Sequence, residues 1–233
     1  YSNTMKALIK NSLYHRVHFR SCLFILVLGS LVYGNHLQNP FQFDTVAYIT
    51  NHHRLDNINE QLNINYLWKE FIHRGLLQIS LAFNVHLDGF RTFGYHLLNL
   101  SLHFINSVLV YFITCRIWCY LGTIDCKPKE NEIRFVAIFT AVLFLIHPIQ
   151  TESVIYIMSR SEVFAGTFYL SSFLLFQIYL VRDRPIKTSF KVLILFIISI
   201  AFILGFSVKQ TLITLPLMLL LYFLFGQESE SSS

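Results

Sequence analysis

The chain has 233 residues, 54% of them hydrophobic and only 13% charged, with 23 Phe and 12 Tyr. Soluble domains average about a quarter charged residues, so this composition, with a mean hydropathy of +0.52, excludes an ordinary soluble protein and reads as an all-α integral membrane one. The net charge of +5 does not point to nucleic acid, because the basic residues flank apolar runs, as membrane topology would place them.

In chain order, the apolar runs predict about six transmembrane helices, at 20–36, 93–114, 134–149, 163–181, 192–208 and 211–226. The core of the first, Cys22–Gly34, is short enough to pass for a signal-peptide core, but it lacks a small-x-small ending. Phe19 and Leu37 extend it and Arg20 can snorkel, so a span is expected. The third and sixth runs are shorter than a comfortable crossing. Lys6, Lys10, Arg16 and Arg20 belong to the N-terminal segment; Arg116, Lys127, Lys129 and Arg134 follow the second run; Arg182, Arg184, Lys187 and Lys191 follow the fourth. The positive-inside rule puts these three segments in the cytoplasm. The expected organisation is a cytoplasmic segment 1–19, a transmembrane domain 20–226 with an outer loop 37–92, and a polar tail 227–233. Both termini are then cytoplasmic, while 37–92, 147–162 and 208–211 face outward.

Within the long outer loop, Leu67, Trp68, Phe71, Ile72, Leu76, Ile79 and Phe83 recur at helical spacing, with Lys69, Glu70, His73 and Arg74 opposite. That pattern predicts an amphipathic helix lying in the membrane interface. Cys22, Cys115, Cys119 and Cys126 match no zinc or haem spacing, so reduced structural thiols are expected.

Several polar residues sit where hydrocarbon should be. Asp44 emerges just after the first span among Phe41, Phe43 and Tyr48; it suits a general base, or the N-cap of a helix starting near Thr45. In the second span His96, Asn99, His103 and Asn106 share one helical face that must point into the bundle. Interhelical hydrogen bonding accounts for that stripe, with His96, nearest the outer surface, as the site candidate. In "HPIQTESVIYIMSRSE", Glu152, Tyr156 and Arg160 are expected on a common face after Pro148. Arg160 is fit to hold a phosphate bidentately, or to pair with Glu152 and brace the turn. Lys209, in a tight connection between two spans, is a site cation or a snorkelling one. Asp44, His96, Glu152, Arg160 and Lys209 all map to the same outer rim, which makes a shared site plausible.

The segments "FQFDTVAYITNH", "GYHLLNLSLHFINSVLVY", "HPIQTESVIYIMSRSEVFAGTFYL" and "SVKQTLITLPLMLLLY" resemble, in that order, the membrane half of bacterial TPR-containing proteins. They likewise resemble the eukaryotic transmembrane-and-TPR O-mannosyltransferases and, more broadly, the GT-C glycosyltransferases. The likeness runs over about 20–226 and is most specific in the His-Pro-x-x-Thr-Glu-x-Val block that His147 opens. It implies a partial GT-C-like fold, a polyprenyl-phosphate sugar donor, a catalytic acid on the first outer loop, and transfer to a protein hydroxyl outside the cytoplasm. Asp44 matches the loop acid, Glu152 and Arg160 the second block, and Lys209 the lysine of the later outer connection. The resemblance thus gives Asp44 and Glu152 as catalytic candidates, and His96, His147, Arg160 and Lys209 as substrate-binding ones. It fixes no cofactor and leaves a divalent metal open.

The wording "YIMSRSE" is nearer the bacterial form, implying a bacterial inner membrane. Asp44 is followed by Thr45 where the family often has a second acid, Glu162 stands where it often has Asp, and the chain ends after about six spans. A truncated chain would also suit a non-catalytic scaffold subunit of a larger membrane assembly, with the bilayer and other membrane subunits as its partners. A transporter is disfavoured, because no two spans are interrupted symmetrically by Gly or Pro at mid-membrane.

Overall fold

The computed structural model describes residues 2–50, 75–121, 129–180 and 187–231, and all regular structure among them is helical. In chain order the helices are α1 (Ser2–Tyr33), α2 (Asp44–Thr50), α3 (Gly75–Asp88), α4 (Thr92–Leu121) and α5 (Glu130–Ile146). They continue with α6 (Gln150–Ile155), α7 (Arg160–Leu180), α8 (Thr188–Val208) and α9 (Leu215–Ser231). Three 3₁₀ turns, Gly34–His36, Ile157–Ser159 and Gln210–Thr214, follow α1 and precede α7 and α9. Lys127, Cys126, Arg182, Arg184 and the predicted helix positions 67–74 lie outside the described residues.

Among the described residues four stretches are long and apolar enough to cross a membrane: Val17–His36, Thr92–Trp118, Ile157–Leu180 and Thr188–Val208. The third and sixth predicted spans also form helices but are shorter, α5 with 17 residues and the apolar stretch Gln210–Phe225. At 1.5 Å per residue α5 reaches about 25 Å, short of a ~30 Å hydrocarbon core. Its ends are set by local chemistry. The Lys129 N–H donates to the Glu132 carboxylate at 3.1 Å, satisfying one of the orphan donors at the start. His147 precedes Pro148, which excludes it from the helical region, and its ψ of 130° ends α5.

α4 is the hub, packing on α1, α3, α5 and α7, while α8 packs on α7 and α3. The bundle is apolar outside and polar in places inside. Phe135, Phe196, Ile200, Leu217 and Leu224 are exposed, whereas His96, Asn99, His103 and Asn106 are buried. That inversion belongs to a solvent that cannot hydrogen-bond. Each member of the buried stripe meets main chain in a neighbour. His96 Nε2 lies 3.1 Å from the Asn39 carbonyl oxygen and His103 Nε2 3.0 Å from that of Leu145. Asn106 Nδ2 donates to the Val163 carbonyl at 3.0 Å. Leu145 lies in the last turn of α5, where carbonyls lack helical partners, and it also accepts the Tyr33 hydroxyl at 3.0 Å. A core of Ile25, Tyr111, Ala137, Ala141 and Leu145 joins α1, α4 and α5, its small residues letting the helices close up.

α3 differs from its expected register. Gly75, Leu77, Leu81, Ala82 and Asn84 are its buried residues, while Leu76 and Ile79 are half-buried and Phe83 is exposed. It packs against α4 and α8, so the apolar periodicity marks a tertiary contact along much of its length.

Candidate functional site

One end of the bundle gathers the residues after α1, before α4, between α5 and α7, and after α8: Tyr33 bonds Leu145, His96 meets Asn39, Asn99 reaches Tyr156 and Lys209 pairs with Glu162. Asp44, His96, His147, Glu152, Arg160 and Lys209 all belong to that end. Their environments there differ sharply.

Asp44 is exposed and opens α2, with an acidic charge in the first turn where the helix dipole favours it. Immediately before it, Phe43 has φ +50°, a left-handed conformation uncommon outside glycine, and is 81% exposed. Its ring meets Tyr156 edge to face, centroids 5.9 Å apart and planes at 87°. Burial foremost, and then the Asp44 carboxylate, push that phenol above the ordinary tyrosine range.

Arg160 corrects the sequence reading. It is 0% exposed, and its guanidinium is spread over three neighbours within the protein. Nε donates to Asn99 Oδ1 at 2.7 Å, Nη1 to the Ser80 carbonyl and hydroxyl at 3.1 and 3.2 Å, and Nη2 to the Tyr95 carbonyl at 3.1 Å. The cation also sits 5.9 Å from the centre of the Tyr95 ring. Neither the expected pair with Glu152 nor an open phosphate site results; Arg160 ties α3 and α4 to the start of α7. The physical reason is a break. α6 ends at Ile155, Tyr156 is extended with ψ 114°, and a 3₁₀ turn intervenes before Arg160. Glu152 and Arg160 therefore sit on different helices, the first exposed and the second buried.

Lys209 caps α8 in extended conformation, its N–H donating to the Gly205 carbonyl at 2.9 Å, and its ammonium pairs with the Glu162 carboxylate. Both partners are partly exposed, at 27% and 43%. His147 is exposed, and its Nδ1 accepts the Ile149 N–H at 3.2 Å, which leaves the ring proton on Nε2. His96 is buried and bonds a carbonyl, so its Nε2 carries the proton; its Nδ1 has no hydrogen-bond partner. It lines a small cavity with Tyr33, His36, Leu37, Leu100, Val154 and Ile155. Among the described residues no three His, Cys, Asp or Glu side chains cluster to hold a metal ion. Cys22 and Cys115 are thiols.

Asn99 was legible only as one of a packing stripe, yet it organises this end. Fully buried, it accepts Arg160 on its oxygen and donates from its nitrogen toward the Val154 and Tyr156 carbonyls, each at 3.4 Å. Ser80 carried no signal in the sequence, because only the fold brings α3 to Arg160.

Comparison with known proteins finds relatives of this chain. Over 225 residues, 91% of the chain, it is 26% identical to "Protein O-mannosyl-transferase F38B6.6" of Caenorhabditis elegans. Over 159 residues, 63% of the chain, it is 29% identical to "Protein O-mannosyl-transferase TMTC1" of Mus musculus, and over 170 residues, 65% of the chain, 28% identical to "Protein O-mannosyl-transferase Tmtc3" of Drosophila melanogaster. The relatives of this chain are protein O-mannosyl-transferases. The chain spans 29%, 16% and 18% of these three O-mannosyl-transferases, so it corresponds to less than a third of each. All three are animal proteins, and the bacterial reading of "YIMSRSE" draws no support from them. No family model matches the chain, and no solved structure does.

Proposed function

We propose that this chain is the membrane-embedded site region of a protein O-mannosyltransferase that uses a polyprenyl-phosphate mannose donor at the outer face of the membrane. The observation that carries the reading is its similarity, over 91% of its length, to a protein O-mannosyl-transferase, in a chain whose helices are apolar enough to span a bilayer. In this reading six helices span the membrane and both termini are cytoplasmic. Asp44, exposed at the outer end, takes the proton of the acceptor hydroxyl. The hydroxyl oxygen attacks the anomeric carbon, the bond from that carbon to the phosphate oxygen breaks, and polyprenyl phosphate leaves.

Lys209 exchanges Glu162 for the leaving phosphate and stabilises its charge. Glu152 and the exposed His147 bind sugar or acceptor hydroxyls beside it, while His96, buried below them, lines the small cavity under this rim. Arg160 serves as the brace that holds the start of α7, and does not touch the donor.

The test is mannosyl transfer from polyprenyl-phosphate mannose to an acceptor peptide, by the full-length chain in membranes. Asp44→Asn is expected to lose about 10²-fold or more in kcat, the scale of general-base assistance, and Lys209→Ala to lose activity as well. Wild-type rates in both variants overturn the roles given to Asp44 and Lys209, and absence of transfer by the parent protein favours a non-catalytic membrane subunit.

A further inference from the structure

We infer that His96 is a positioning residue for Asp44, clamping the loop that carries the acid onto the start of α4; the inference rests on the reading of Asp44 as the proton acceptor. Between the 3₁₀ turn after α1 and the start of α2, the chain runs through Asn39, Pro40, Phe41, Gln42 and Phe43 without helical structure. Two successive residues of α4 hold it. His96 Nε2 donates to the Asn39 carbonyl across 3.1 Å, and the Tyr95 ring meets Phe41 edge to face, centroids 5.3 Å apart. Both holders are fixed in the bundle, His96 at 4% exposure and Tyr95 at 0%. The Tyr95 hydroxyl donates to the Gly89 carbonyl at 2.8 Å, and its own carbonyl accepts Arg160 at 3.1 Å.

Asn39 is gripped from its other side as well. Its Nδ2 donates to His36 Nδ1 at 3.2 Å and its N–H to the His36 carbonyl at 3.1 Å, which ties it to the end of α1. From Asn39 to the acid the path is short and stiff. Pro40 has its φ fixed by its ring, and Phe41 packs on the cluster that includes Ile49, Leu81 and Tyr95. The Gln42 carbonyl accepts the N–H of Thr45, a residue 0% exposed, at 3.1 Å. Asp44 is exposed between these anchors, so its direction follows from theirs. His96 contributes through one atom. Its Nε2 carries the proton, because a carbonyl only accepts, while Nδ1 is buried without a hydrogen-bond partner. Loss of the Nε2 donor orphans the Asn39 carbonyl and releases the loop from α4.

The experiment pairs steady-state transfer in native membranes with amide hydrogen exchange in detergent, on the full-length His96→Gln, His96→Asn, His96→Leu and Asp44→Asn variants and the Asp44→Asn/His96→Leu double variant. Glutamine carries its amide nitrogen about as far from the backbone as Nε2, whereas asparagine stops near the position of Nδ1. In His96→Leu and His96→Asn, exchange over residues 39–46 is expected to speed up about tenfold, with α7 unchanged. Their kcat is expected to fall about tenfold with KM unchanged, as misorientation of a reacting group does. His96→Gln, which restores the donor, should stay within about threefold of the parent in both readouts. The double variant is expected to be no slower than Asp44→Asn alone, because His96 acts only through the acid. Unaltered exchange over 39–46 in His96→Leu, or a Gln variant that behaves like Leu, overturns the clamp. Exchange that rises equally in α7 overturns it too, since the bundle as a whole has then loosened. Parental kcat in His96→Leu beside an inactive Asp44→Asn, or a loss that adds fully to that of Asp44→Asn, removes the positioning role and leaves the Asp44 reading standing. Parental transfer by Asp44→Asn removes the reading beneath it.

Discussion

Arg160 is a buried cation with no carboxylate beside it among the described residues, held by carbonyl, amide and hydroxyl oxygens from α3 and α4. Hydrogen bonds from a charged donor contribute about 1.5–3 kcal/mol each net of solvation. The full sum is never realised, because burying the charge is itself costly. Arg160→Met should destabilise the protein by about 3 kcal/mol, since Asn99 Oδ1 and the Ser80 hydroxyl then lose their donor in a site closed to water. Arg160→Lys should recover little of this, because a single ammonium cannot reach acceptors spread around a planar fork. Unfolding of the purified variants in detergent checks both expectations. A Lys variant of parental stability would mean that charge alone, and not the fork geometry, holds α7.

Among the elements, close approach of α1 to α4 and α5 depends on Gly29. A Cβ there would overlap the Phe104 ring and press on Leu145 Cδ1 at 3.2 Å, whereas Gly34, five residues on, has nothing within 4 Å. Gly29→Val should therefore cost about 1–3 kcal/mol as overpacking, while Gly34→Ala should be nearly silent. Comparing the two variants' unfolding in detergent separates packing from a general intolerance of α1. Element positions were largely legible, since an apolar run long enough for a helix announces itself by length alone. The stripe from His96 to Asn106 was legible as inward-facing for a related reason: lipid offers those groups no partner. What composition could not show was the break at Tyr156–Ser159. The spacing of Glu152, Tyr156 and Arg160 assumes one continuous helix, and a single extended residue turns the arginine from the rim into the core. In α3 the buried face was set by α4 and α8, neither of which is visible in that segment alone.

For the whole molecule, charge and polarity separate along the bundle axis. Arg116, Lys129, Arg134, Lys187 and Lys191 lie toward the end opposite Asp44, Glu152 and Lys209, and the positive-inside rule assigns the basic end to the cytoplasm. The proposed roles of these side chains require the other end to share one compartment. The most direct test is labelling of single cysteines by a membrane-impermeant maleimide in intact cells or sealed vesicles. Cys22, Cys115, Cys119 and Cys126 are first replaced by Ala, and Asp44→Cys, Glu152→Cys, Lys209→Cys and Lys187→Cys are then made one at a time. Positions 44, 152 and 209 are predicted to label from outside, and 187 only after the membrane is opened. Labelling of Asp44→Cys and Glu152→Cys from opposite sides would contradict the account, because no common site could then form.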